Sequence, residues 1–209
     1  MIVIVDYGMG NLRSAQKGFE KAGHQAHVTD EVAAIEQADA VVLPGVGAFA
    51  DCYEGLRSRG LVEPVREAAL SGKPFLGICV GMQLLFDESV EGRGSKGLGI
   101  FTGRVVRFPE PKGTGLKVPH MGWNRLHQAN GRPCPLLPAG DEPYVYFVHS
   151  YYPEPEDKDI VLATCEHGVE FAAMVGRDNV FAVQFHPEKS QKAGIGILGA
   201  FGNLIKGQT

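Results

Sequence analysis

The sequence predicts an α/β fold with a mainly parallel, doubly wound sheet, and three observations carry that expectation. Residues 2–5, IVIV, are β-branched throughout and show no polar alternation, as in a strand covered on both faces. Strand and helix signals then alternate as far as residue 87, the pattern that parallel βαβ units produce. The chain has 209 residues, 44% hydrophobic and 21% charged, a globular composition long enough for a substantial core, so residues 1–209 read as one domain.

The elements follow in order. Between Leu12 and Ala22 the apolar positions Leu12, Ala15, Phe19 and Ala22 recur at helical spacing, with Gly23 placed as a C-terminal cap. Short strands are expected around Ala26 to Val28 and Ala40 to Leu43, the second running into PGVGAF. A second helix is expected over 59–71, then a buried strand over 74–78 (PFLGI) leading straight into a helix over 80–87. Residues 88–99, ESVEGRGSKGLG, are polar and glycine-rich and read as a surface loop. Beyond them the chain turns β-rich, with strands expected at 100–106, 122–127, 144–148, 160–166, 171–175 and 180–185. Most of these should pair antiparallel or extend the sheet edge, separated by proline-rich turns such as 132–143 and 153–157. The apolar segment 194–206 has helical periodicity and is expected to pack back on the sheet.

Composition excludes several classes of function. The net charge is -4 and no run of basic residues is dense enough to track a phosphate backbone, so nucleic acid is not an expected partner. The N-terminal MIVIVDYG meets an aspartate after a short apolar run, and no later stretch reaches the roughly 18 apolar residues of a spanning helix, so neither a signal peptide nor a membrane segment is expected. Cys52, Cys79, Cys134 and Cys165 lie far apart without CxxC pairing, which points to a reducing cytoplasm. His120, His149 and His167 have no partner at metal-ligand spacing, and satisfied structural roles are expected for them.

Three places can carry chemistry. Cys79 stands where a buried strand turns into a helix, between Gly77 and Gly81, the local pattern that exposes a nucleophile; the helix N-terminus would favour its thiolate. A buried structural cysteine reads equally from this position alone. In QFHPE, residues 184–188, an extended backbone at the end of a strand would send His186 and Glu188 to the same side, as a base and the group that orients it. A solvated histidine beside a surface glutamate is the alternative. PGVG, residues 44–47, ends another strand on the edge expected to hold Cys79, and its backbone N–H groups can meet an oxyanion. A plain turn is the alternative there, and so is a dinucleotide loop, although GVGAFA lacks the third glycine of that fingerprint and starts no obvious helix.

Taken together, PGVGAF, GICVGMQ and QFHPEKS resemble the class I (triad) glutamine amidotransferases, in that family's order and spacing and across essentially the whole chain. The resemblance implies a flavodoxin-like sheet, glutamine as substrate and no metal or organic cofactor. It implies Cys79 as nucleophile, His186 as general acid and base, and Glu188 as the residue that orients it. Val46, Gly47 and Val80 match the oxyanion region, and Gln83, Glu91, Ser150 and Tyr151 match positions that hold the amino and carboxylate ends of glutamine. DYGMGNL, VPHMGWN and YFVHSYY narrow the likeness to glutaminases that form a heterodimer with a (β/α)8-barrel cyclase in histidine biosynthesis. Asn11, Trp123, Tyr144, Tyr146 and Lys189 match the face that docks on that partner. The glycines of PGVG make peptide reorientation cheap, so docking is expected to favour the catalytic orientation. A glutaminase serving a different ammonia-using synthase, and a stand-alone cysteine hydrolase, are the competing readings.

Overall fold

A computed structural model describes residues 1–110, 116–129 and 134–205. The first half alternates as expected: β1 (Ile2–Val5), α1 (Leu12–Lys21), β2 (Ala26–Thr29), α2 (Val32–Gln37), β3 (Ala40–Gly45), α3 (Phe49–Ser58), α4 (Val62–Leu70), β4 (Phe75–Cys79) and α5 (Val80–Gln83). The second half is β5 (Phe86–Ser89), β6 (Ser95–Lys96), β7 (Phe101–Arg107), β8 (His120–Arg125), β9 (His127–Gln128), β10 (Tyr144–His149), β11 (Tyr151–Pro155), β12 (Val161–Glu166), β13 (Glu170–Arg177), β14 (Val180–Val183) and α6 (Gln191–Asn203). Among the described residues the largest sheet has eight strands in the order β2-β1-β3-β4-β14-β13-β12-β9. Its first five are parallel neighbours in the flavodoxin-like order, and the rest add antiparallel, so the expected fold class holds.

Every residue of β1, β3 and β4 is buried, which is why these strands read as unbroken apolar runs. Helix α1 turns Ala15 and Phe19 inward, and Phe19 meets Phe201 of α6 with ring centroids 6.0 Å apart. The expected final helix therefore does return to the sheet, starting at Gln191; residue 206 of that expectation lies outside the described residues, as do residues 132–133 of the expected 132–143 turn.

Five expectations are corrected. The helix expected at 59–71 is α4, which begins only at Val62, because Gly60, at φ +68°, follows the end of the preceding α3. Helix α3 itself starts two residues beyond PGVG, where no helix was expected, and buries Phe49, Cys52 and Leu56. The helix expected at 80–87 stops at Gln83. Leu84 and Leu85 give their carbonyls to Leu98, Ile100 and Phe101 instead, and Leu84, Leu85 and Phe86 are all fully buried, which one face of a helix cannot achieve. The 88–99 loop contains a short hairpin of β5 with β6. The proline-rich segment at 153–157 is largely strand β11, and its prolines are tolerated because β11 lies at the edge of the smaller sheet β11-β7-β5-β6.

The crossing of α5 over β3 admits no side chain at Gly81, whose added Cβ would collide with the Leu43 carbonyl. Gly81→Ala should therefore cost about 3 kcal/mol or prevent folding, whereas Gly196→Ala, in α6 with nothing within 4 Å of its added Cβ, should stabilise by about 0.5–1 kcal/mol. Urea unfolding of the two variants checks the pair; equal effects would contradict the packing described.

Candidate active site

The neighbouring strands β3, β4 and β14 are parallel, so their carboxyl ends deliver PGVG, Cys79 and the 184–188 segment to one edge. There they border a cleft of about 700 Å³. Cys79 sits between β4 and α5 at φ +56° and ψ −113°, a conformation rare for a residue with a side chain, and its side chain lines the cleft. The helix that follows is a single turn and carries little macrodipole, so the expected role of a helix terminus is displaced. The sulfur instead has two side-chain neighbours. Gln184 donates from Nε2 to Sγ at 3.7 Å, and the His186 imidazole shares the cleft.

His186 and Glu188 do meet, with Nδ1 and Oε1 2.9 Å apart and both side chains 3% exposed. The expected extended backbone is not the reason. β14 ends at Val183, and Pro187–Lys189 form a 3-10 turn that folds Glu188 back under the imidazole. One backbone hydrogen bond and the Ser190 hydroxyl hold the turn in place: His186 N–H donates to Tyr146 O at 2.9 Å, Ser190 Oγ donates to His186 O at 2.6 Å, and Tyr146 N–H donates to that same Oγ at 2.9 Å. Burial disfavours an imidazolium here. The Cys79 sulfur and then the Glu188 carboxylate favour it more strongly and carry His186 from 6.5 up to about 10. Nε2 of His186 and Oε2 of Glu188 are buried without a hydrogen-bond partner among the described residues.

The oxyanion candidates Val46, Gly47 and Val80 all line the cleft, with Gly47 at φ +94°. The PGVG loop is held from beneath by two buried groups, Tyr7 donating to Pro44 O at 2.6 Å and Cys52 donating to Val46 O at 3.3 Å. Burial raises Tyr7 well above its ordinary value and pushes the Cys52 thiol up to about 11. Burial likewise raises Cys134 and takes Cys165 up to about 12, which leaves all three thiols inert.

Gln83, Glu91, Ser150 and Tyr151 also line the cleft, as the sequence led us to expect. Gln83 spends both amide hydrogens on Tyr151 O and Gln184 Oε1, each at 3.0 Å, leaving only its oxygen for a ligand. Glu91 accepts from Phe49 N–H at 2.7 Å through Oε2, capping α3, so one carboxylate oxygen remains. Asn11 and Lys189 stand at the cleft wall. Trp123, Tyr144 and Tyr146 lie outside it, on the antiparallel pair β8–β10, where Tyr146 is opposite Trp123 and Lys189 Nζ lies 5.9 Å from the Tyr146 ring centre. Met121, Trp123 and Tyr144 are 68%, 46% and 60% exposed. His120, His149 and His167 are brought together by stacking and hydrogen bonds, each with a polar partner, in keeping with the structural roles expected of them.

Sequence reasoning missed Tyr7, Cys52, Gln184 and Ser190; Tyr7 carried a signal through its place in DYGMGNL, and the last two through their places in QFHPEKS. The buried His186–Glu188 pair yields a titration. Nuclear magnetic resonance of labelled imidazoles should show His186 keeping its proton through neutral pH and losing it near 10, with Glu188→Gln lowering that midpoint. A midpoint near 6.5 in the unaltered chain would contradict the coupling.

The family profile described as Glutamine amidotransferase class-I matches residues 3–198. The chain is 57% identical over 210 aligned residues to the imidazole glycerol phosphate synthase subunit HisH of Syntrophotalea carbinolica, covering 98% of this chain and 100% of that protein. It is 53% identical to the protein of that name from Geobacter sulfurreducens, covering 97% and 98%. Among solved structures, a glutamine amidotransferase superposes with a TM-score of 0.74 at 20% identity, covering 99% of this chain and all of that one. PurLQS from Thermotoga maritima gives 0.73 at 20% identity, with 97% of each covered. The chain belongs to the class I glutamine amidotransferase family.

Proposed function

We propose that this chain is the glutaminase subunit of imidazole glycerol phosphate synthase, one domain over residues 1–209 that hydrolyses glutamine and hands the ammonia to a separate cyclase. The observation that carries the reading is the buried, unpartnered Nε2 of His186, backed by Glu188 at 2.9 Å and sharing a cleft with Cys79. The choice of synthase is supported by the full-length likeness to proteins of that name.

The chemistry follows from the groups present. The Cys79 thiolate attacks the side-chain amide carbon of glutamine, and the oxyanion meets backbone N–H groups around Val46, Gly47 and Val80. The C–N bond then breaks as His186 protonates the departing nitrogen, leaving a glutamyl thioester and a neutral imidazole. That imidazole takes a proton from water as its oxygen attacks the thioester, and glutamate leaves with the thiolate and imidazolium restored. Glu188 orients the ring and stabilises its cation. The free oxygens of Gln83 and Glu91 suit the α-ammonium group, and Ser150 and Tyr151 border the place of the α-carboxylate. None of these steps calls on a metal or organic cofactor.

The docking face is the outer side of β8–β10, with Trp123, Tyr144 and Tyr146, continued by Asn11 and Lys189 at the cleft wall. Exposed apolar surface of this kind fits a heterodimer with a (β/α)8-barrel cyclase. Among the described residues no helix is long and apolar enough to cross a membrane. A cytoplasmic setting is supported by the four free thiols.

Docking sets the activity by biasing the PGVG loop, whose Pro44 and Val46 carbonyls Tyr7 and Cys52 hold in the isolated chain. Glutamate release should be slow for the chain alone and rise about a hundredfold with cyclase and its nucleotide ligand, a differential stabilisation of about 2.7 kcal/mol. Cys79→Ala should abolish it in every condition while the complex still uses added ammonia. Equal rates with and without the partner would favour a stand-alone hydrolase, and glutaminase activity in Cys79→Ala would overturn the nucleophile.

A further inference from the structure

His120 and His149, beside Phe108, and the amide of Gln184 are buried polar groups that the mechanism above does not use. Followed atom by atom, they form one line. Asn124 Nδ2 lies 3.2 Å from His120 Nε2, His120 Nδ1 lies 3.0 Å from His149 Nε2, and His149 Nδ1 lies 2.9 Å from Tyr151 O. Tyr151 O also accepts from Gln83 Nε2, whose second hydrogen goes to Gln184 Oε1, and Gln184 Nε2 donates to Cys79 Sγ. We infer that this hydrogen-bonded line couples the docking strand β8 to the Cys79 sulfur, with Asn124, His120, His149 and Gln184 as positioning residues for the reaction.

The direction of every proton in the line is determined. A carbonyl can only accept, so His149 must carry its hydrogen on Nδ1 and present a bare Nε2. His120 Nδ1 must then donate to it, and His120 Nε2 accepts from Asn124. The orientation of the Asn124 amide is fixed in turn, since its Oδ1 accepts from Arg125 N–H at 2.8 Å and its Nδ2 also donates to Glu166 O at 2.8 Å. This pattern requires both imidazoles to be neutral. Burial supplies that condition, taking His149 down to about 3 and His120 down to about 4.

The line is also stiff. The His120 ring lies between His167, at 4.1 Å between centroids and 22° between planes, and Phe147, at 4.7 Å and 26°. Alternation along β8 sends His120 and Asn124 inward while Met121 and Trp123 face out, so a partner that shifts the outer pair shifts the inner pair on the same backbone. At the other end the Gln184 amide, fully buried, has its oxygen held by Gln83 and its nitrogen aimed at the sulfur. Polar networks of this kind, with each member satisfied, hold one arrangement in a low-dielectric interior. The inference rests on the proposed function for its consequence, and on the geometry alone for the coupling.

The test reads the sulfur directly. The rate of Cys79 alkylation by iodoacetamide at fixed pH is measured on the full chain by site-resolved mass spectrometry, for the unaltered protein, Gln184→Met, Asn124→Ala and the double variant. Gln184→Met, which keeps the volume and removes the donor, should slow alkylation about fivefold. Asn124→Ala, at the half-exposed far end and safe for folding, should slow it about twofold, and the double variant should be no slower than Gln184→Met alone. In the complex with cyclase, Asn124→Ala should lower kcat for glutamine with KM unchanged. A purely structural role would shift the melting temperature and leave the alkylation rate of the folded chain untouched. An unchanged rate in Asn124→Ala, or effects that multiply in the double variant, would overturn the coupling. Alkylation needs neither glutamine nor partner, so that failure is distinct from a failure of the proposed function, which would show as no glutamate release by the unaltered complex.

Discussion

Backbone hydrogen bonds join Phe75–Cys79 to Ala40–Gly45 on one side and to Val180–Val183 on the other, all three strands running the same way. The rest of the protein's chemistry depends on that parallel pairing. Parallel strands present their carboxyl ends together, and here those ends hold the PGVG loop, Cys79 and the segment leading to His186, which are far apart in sequence. The register leaves little freedom, because the strands are buried on both faces and a slip of one residue would exchange the side chains packed on the two faces. Gly45 pairs with Cys79, so the PGVG loop passes directly beside that residue.

Burial then decides how the groups behave. The same desolvation that takes Cys52 and Cys165 out of reaction holds His120 and His149 neutral. His186 is the exception, because a carboxylate at 2.9 Å and the nearby sulfur outweigh the cost of burying its charge. The Cys79 sulfur accepts from the Gln184 amide and shares its cleft with the His186 ring, so its polar surroundings do not depend on the single helical turn that follows it. The His186–Glu188 pair is placed by the 3-10 turn at Pro187–Lys189, and that turn is tied through Ser190 to β10, one strand of the exposed β8–β10 pair.

Much of this was legible in the chain. Inner strands announce themselves by unbroken β-branched runs, and the nucleophile by glycines on either side of a strand-to-helix junction. Cys79, His186 and Glu188 could be read because each lies in a short local pattern. What escaped notice depends on tertiary partners. Helix α5 is cut short by N–H donors from residues 98–101 that take the Leu84 and Leu85 carbonyls, and α3 has a buried face but begins directly after a glycine-rich loop. Strand β11 carries two prolines and survives only because it has an edge to occupy. The sequence separation between Gln184 and Cys79 is 105 residues, and between His120 and His149 it is 29, so no local spacing marks either pair. Glu91 sits in a glycine-rich stretch whose composition says nothing of its bond to Phe49 N–H.

The central claim is that glutamine is cleaved through a covalent bond to Cys79 and to no other cysteine. The most direct measurement is acid quenching of the complex during turnover with glutamine, followed by peptide mass spectrometry for a glutamyl thioester. The account predicts the adduct on Cys79, its accumulation relative to turnover when Glu188→Gln slows hydrolysis, and none on Cys52, Cys134 or Cys165, which are buried as inert thiols. A complex that releases glutamate with no adduct on Cys79, or with one on another residue, would contradict it.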